Sequence, residues 1–90
     1  MSNYIPHYTK KLRILRKEVK VMLGLINHNA SEEKLVSAAE RIRDARVRVL
    51  RAKRALFLPT TKYQDAFDAV DAKIAEVLAL TPHQILEDYR

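Results

Sequence analysis

Residues 31–58 read SEEKLVSAAERIRDARVRVLRAKRALFL, and within them Leu35, Ala38, Ile42, Ala45, Val49, Ala52 and Leu56 recur at alternating steps of three and four. That spacing is a heptad seam, the signature of a helix packed lengthwise on a partner. Leu35, Ile42, Val49 and Leu56 hold one seam position and alanine holds the other, so the face is a ridge of side chains separated by notches. Such a face calls for bulky side chains opposite it. Arg41, Arg43, Arg46, Arg48, Arg51, Lys53 and Arg54 surround the seam, opposed in that interval only by Asp44. One segment is thus both the structural centre and the main source of charge.

Toward the N-terminus, Ile5, Tyr8, Leu12, Leu15, Val19, Met22 and Ile26 step in the same way. They predict a helix from near Ser2 or Asn3 to about Asn27, with Pro6 tolerated in the opening turn. Gly24 reads as a tolerated helix glycine. His28-Asn29-Ala30 is a short connection, Asn29 or Ser31 can cap the next helix, and Glu32 and Glu33 suit its first turn. A connection this short makes the two helices antiparallel neighbours. Folding the chain back pairs Ile26 with Leu35, Met22 with Ala38, Val19 with Ile42, Leu15 with Ala45, Leu12 with Val49, Tyr8 with Ala52 and Ile5 with Leu56. Each pair of residue numbers sums to 60 or 61, as a constant antiparallel register requires. Met22, Leu15 and Tyr8 each face an alanine notch, which is the volume complementarity that close packing demands.

Toward the C-terminus, Pro59 is expected to end the second helix, because the residue before proline is pushed out of helical conformation. Thr61 with Gln64 reads as a capping box opening a third helix to about Leu80. Tyr63, Phe67, Val70, Ile74, Val77 and Leu78 form its apolar face. That face can lie on a second stripe of the hairpin, made of Val36, Ala39, Val47, Leu50 and Phe57 with Ile14, Val21 and Leu25. Thr81-Pro82-His83-Gln84 is a further helix start, with a threonine cap and proline at the first helical position. Ile85, Leu86 and Tyr89 would fold this last helix over one end. The expected fold is therefore all-α: an antiparallel helical hairpin completed to a three-helix bundle, with a short fourth C-terminal helix.

Composition agrees. Ninety residues suit one domain spanning 1–90, and a single glycine with three prolines disfavours a turn-rich β-fold. The absence of cysteine removes disulfides and thiolate metal sites and is compatible with a reducing compartment, so a cytoplasmic location is expected. Met1 to Lys17 lacks the continuous apolar core of a secretion signal. The longest uncharged stretch, Val21 to Ser31, is 11 residues and too short to cross a bilayer, so no membrane partner is expected. The net charge of +6 divides into +9 over residues 1–60 (14 Lys/Arg, 5 Asp/Glu) and −3 over residues 61–90 (3 Lys/Arg, 6 Asp/Glu). A charge distribution of this kind bears on partners rather than on fold.

Signals for catalysis are weak. His7, His28 and His83 fall at helix starts or in a turn, without the i, i+4 spacing of a helical zinc site. Asp65, Asp68 and Asp71 could share a hard cation, but pairing with helix two or with Lys62 and Lys73 is the favoured expectation. No glycine-rich phosphate loop occurs, and Ser2, Ser31 and Ser37 read as caps or surface. Leu15-Arg16-Lys17-Glu18-Val19 resembles part of the opening helix of the small all-helical chorismate mutases, which hold an anionic substrate with basic side chains. The Gly-x-x-Lys segment of that family is absent and its late-helix Glu or Gln has no counterpart, so no membership follows. We expect no enzyme, no cofactor, no metal and no small-molecule substrate.

What remains is charge. At about 100° per residue, Lys10, Arg13, Lys17 and Lys20 form a stripe roughly opposite the first seam, with Arg16 on its flank. Arg41, Arg48 and Arg51, with Arg54 nearby, form a second. Helices hold such cations at fixed intervals and can follow phosphates without reading bases. Only Tyr4 and Tyr89 are left outside the expected core, so base stacking is not anticipated. The expected partner is nucleic acid, DNA or RNA, held by Lys10, Arg13, Lys17, Lys20, Arg41, Arg48 and Arg51 within a larger complex. The alternative is a self-associating or adaptor module whose basic face meets an acidic protein surface, a possible homo-oligomer. Ala69, Ala72, Ala75 and Ala79 then supply a small-residue strip on helix three.

Overall fold

The computed structural model of the chain describes residues 4–57 and 60–90, and it is helical throughout, with no strand among the described residues. Four helices follow in order: α1 (Tyr4–Asn27), α2 (Glu32–Arg54), α3 (Gln64–Leu78) and α4 (Pro82–Tyr89). The expected start of α1 at Ser2 or Asn3, and Pro59 itself, lie outside the described residues.

The α1–α2 connection is built from local chemistry. Asn29 adopts φ 52°, the left-handed conformation that asparagine tolerates better than most residues. With it the amide of Ala30 donates to the Leu25 carbonyl at 3.0 Å and that of Asn29 to the Ile26 carbonyl at 3.2 Å. This bond pair is a Schellman ending, which satisfies carbonyls the helix would otherwise leave unpaired. Ser31 then caps α2, its Oγ accepting from the Lys34 amide at 3.3 Å, with Glu32 and Glu33 complementing the helix dipole behind it.

The hairpin seam is present. Leu35, Ala38, Ile42, Ala45, Val49 and Ala52 are all buried on α2, and Met22 is fully buried on α1 with Leu15, Val19 and Ile26 packed around it. Glu18 reaches Arg41 across the hairpin, Nε to Oε2 3.0 Å, consistent with the antiparallel register. The outermost layer does not form. α2 ends at Arg54, and Ala55 to Phe57 turn away through a 3.0 Å bond from the Leu56 amide to the Lys53 carbonyl and a 3.2 Å bond from the Phe57 amide to the Arg54 carbonyl. Ile5 and Leu56, expected to meet, are both exposed. The cause is a competing aromatic cluster: the Phe57 ring lies 5.9 Å from Tyr63 and 6.1 Å from Phe67, so the chain is drawn toward α3.

Helix three also starts differently from the expectation. Thr61–Tyr63 form a single 3₁₀ turn without a side-chain cap, and Gln64 donates instead to Asp68 at 2.9 Å. The α4 start matches the expectation. Thr81 Oγ1 accepts from the Gln84 amide at 3.2 Å while Gln84 Oε1 accepts from the Thr81 amide at 2.7 Å, a complete capping box with Pro82 inside it.

Helix α2 touches all three of the others. α3 buries Phe67, Val70 and Val77 and runs along α2, held at its middle by Arg54 on Asp71 (2.8 Å). Just past its C-terminal end, Arg43 donates to the Leu80 carbonyl at 3.1 Å. α4 inserts Ile85 and Leu86, both fully buried, beside Met22, Leu35, Ala38, Ala39 and Ile42. Arg46 donates to the Tyr89 hydroxyl at 2.8 Å and Arg90 pairs with Glu32, closing the helix onto the α2 start. Two members of the expected second stripe stay open: Ile14 and Val21 line surface depressions with α2 residues, and Val21 is 42% exposed. Leu78, placed in the apolar face of α3 by its spacing, is 52% exposed. The molecule is long and thin, 48 × 25 × 14 Å, and so presents a broad face.

Candidate nucleic-acid interface

That face is the α1–α2 groove left open by α3 and α4. Its α1 wall is His7, Lys11, Ile14, Glu18, Val21 and Leu25, its α2 wall Lys34, Ser37, Arg41, Asp44, Arg48 and Arg51. Each wall recurs at steps of three and four, so each is a single line of side chains along its helix. Basic residues recur along the α2 wall as Lys34, Arg41, Arg48 and Arg51, while the α1 wall contributes Lys11 and His7 at one end of a shallow channel and Glu18 near its middle.

All seven residues expected to meet phosphates are exposed. Six of them, Lys10, Arg13, Lys17, Lys20, Arg48 and Arg51, make no ion pair among the described residues. Arg41 is engaged: besides Glu18 it donates to Ser37 Oγ at 3.3 Å. Of the other cations on α2, Arg43, Arg46 and Arg54 face α3 and α4 and brace them. The arginine-rich helix thus splits its charge. One side holds the fold together, and the other points to water.

Helical periodicity divides the α1 stripe as well. Lys10 and Lys17 fall within roughly a quarter turn of the groove-lining residues, whereas Arg13 and Lys20 lie roughly 120–140° round the helix from them. A ligand seated on the groove face meets Lys10 and Lys17 at its edge. Arg13 and Lys20 look the other way. Lys11 and His7 were not picked out by the sequence pattern, because Lys11 stands at the border between the seam and the polar stripe. The antiparallel register contains the missing signal: it sets Lys11 beside Arg48 and Ala52, and His7 near Ala52 and Ala55.

The remaining candidates resolve simply. Asp71 is paired with Arg54 and Asp68 accepts from Gln64. No group of three His, Asp or Glu side chains suited to a metal occurs among the described residues. Tyr89, one of the two aromatics left over by the sequence pattern, is half-buried and lies against Arg46, whose guanidinium sits 5.9 Å from the ring centre. The Tyr4 side chain lies outside the described residues. Ala69, Ala72, Ala75 and Ala79 are exposed on α3. No described helix is long and apolar enough to cross a membrane.

No known protein family, curated protein or solved structure matches this chain. Geometry and charge therefore carry the functional reading.

Proposed function

We propose that this chain is a non-catalytic, cytoplasmic, basic helical bundle that binds a polyanion, nucleic acid within a larger complex, through the open α1–α2 face. The observation that carries this reading is the set of exposed cations with no carboxylate partner among the described residues, Arg48 and Arg51 on that face and Lys10 and Lys17 at its edge. Each would contact a phosphate, with Lys11 between them, and Arg13 and Lys20 contribute at longer range. Contacts of this kind fix position on a backbone and carry no base information, so binding is sequence-tolerant and weakens with salt. Reversing charge at two of these positions, Lys17→Glu with Arg48→Glu, tests it by fluorescence anisotropy on a labelled duplex. Both residues are exposed and outside the seam, so helix content by circular dichroism stays constant while affinity falls. Unchanged affinity in a folded double variant would refute the assignment.

The exposed alanine strip of α3, with Leu78 beside it in sequence, favours a second reading, in which the bundle associates with itself or with an acidic protein. Concentration-dependent sedimentation without any oligonucleotide shift identifies that case.

A further inference from the structure

Along the groove one depression differs from its neighbours in what lines it. His7, Lys11, Arg48, Arg51, Ala52 and Ala55 bound a concavity of about 360 Å³. The adjoining depressions carry Glu18 and Asp44, or Asp44 alone, among their linings, and the one at the other end of the groove has two cations, Lys34 and Arg41, of which Arg41 is already paired with Glu18. Here three cations and an imidazole from two antiparallel helices converge with no carboxylate in the lining. The small side chains of Ala52 and Ala55 leave the space between them free.

Cations on both walls of a shallow depression suit a different ligand from a single stripe. A backbone phosphodiester is a monoanion, met from one side as the strand passes. A phosphomonoester carries about −1.5 to −2 charges at neutral pH and three terminal oxygens, and it gains from donors on several sides. Two arginine forks can each take a pair of its oxygens, a lysine supplies a point charge, and an imidazole has at least one N–H to donate. The depression is wide open to solvent, so it can seat a phosphate against its floor while the sugar stays outside. We propose that this depression holds a phosphomonoester dianion, the terminal phosphate of a nucleic-acid strand whose backbone continues past Lys10 and Lys17. This assignment rests on the polyanion reading and adds strand-end recognition to it.

The test compares two oligonucleotides identical except for a 5′-phosphate or a 5′-hydroxyl, together with inorganic phosphate followed by amide chemical shifts. The phosphorylated strand should bind about tenfold tighter, the effect of one set of charge-assisted hydrogen bonds. Inorganic phosphate should shift amides around Lys11, Arg48 and Arg51. Lys11→Gln, a half-buried position where glutamine retains the helical stem, should bring the affinity ratio toward one, and Lys73→Gln on α3 should leave the ratio at about ten. Equal affinity for the two strands, with the steep salt dependence retained, overturns the strand-end site while the polyanion reading stands. Local shifts with inorganic phosphate but equal strand affinities would mean a free phosphate ligand and overturn it too. Failure of both strands to bind removes the polyanion reading itself.

Discussion

Neutralising two arginines on the groove face should act differently from neutralising two cations behind it. The first variant is Arg48→Gln with Arg51→Gln, the second Arg13→Gln with Lys20→Gln; all four side chains are exposed. A duplex on the open face meets Lys10, Lys11, Lys17, Arg48 and Arg51, and five phosphate contacts give a log–log salt slope of about −4.5. Affinity then falls about 500-fold between about 50 and 200 mM salt. Without Arg48 and Arg51 three contacts remain, the slope becomes about −2.7, and the same salt step costs only about 40-fold. The back-face variant has the same net charge as the front-face one, yet its slope should stay near about −4.5. Fluorescence anisotropy across a salt series reads both slopes, and circular dichroism confirms that both variants fold. Equal slopes for the two variants would refute a groove-face interface, because bulk charge and not position would then govern binding.

Four further outcomes follow from particular contacts. Glu18→Gln releases Arg41 to the groove face, so it should tighten duplex binding and steepen the salt slope by about 0.9, at a cost of at most about 1 kcal/mol for an exposed pair. Met22→Ala removes a fully buried side chain between α2 and α4 and should cost about 2–5 kcal/mol, read as a fall in Tm of about 4–8 °C per kcal/mol in a thermal melt. At Gly24 an added Cβ meets nothing within 4 Å, so Gly24→Ala should stabilise by about 0.5–1 kcal/mol in a denaturant titration. Thr81→Ala removes one half of the α4 capping box and should destabilise by about 0.5–2 kcal/mol in the same assay.

The hairpin was legible in the sequence because its signal is local and redundant. Seam residues recur over the length of both helices, and Ala38, Ala45 and Ala52, the notches, are buried as the ridge-and-notch pattern requires. The Thr81 capping box was legible for the same reason, all its atoms lying within four residues. The last seam layer was not, because Phe57 had a nonlocal alternative in Tyr63 and Phe67 that heptad spacing cannot reveal. Nor was the seat of α3. The expected stripe joined α2 residues to Ile14, Val21 and Leu25 of α1, whereas ion pairing of Arg54 with Asp71 and the Arg43 bond to Leu80 seat α3 on the α2 side. That placement divides the candidate site. It leaves Ile14 and Val21 in an open groove, where the hairpin register sets Lys11 and His7 beside Arg48 and the periodicity of α1 puts Arg13 and Lys20 at the back. Arg41 fell away for a simpler reason: Glu18 lies on the facing wall of the groove, where a charge tally along the chain does not register it.

The most direct measurement is the affinity of the unaltered chain for two duplexes of equal length and unrelated sequence across a salt series. A phosphate-following basic face gives affinities within a few-fold of one another and a common slope of about −4.5. Absence of binding at low salt, or binding that ignores salt, would contradict it.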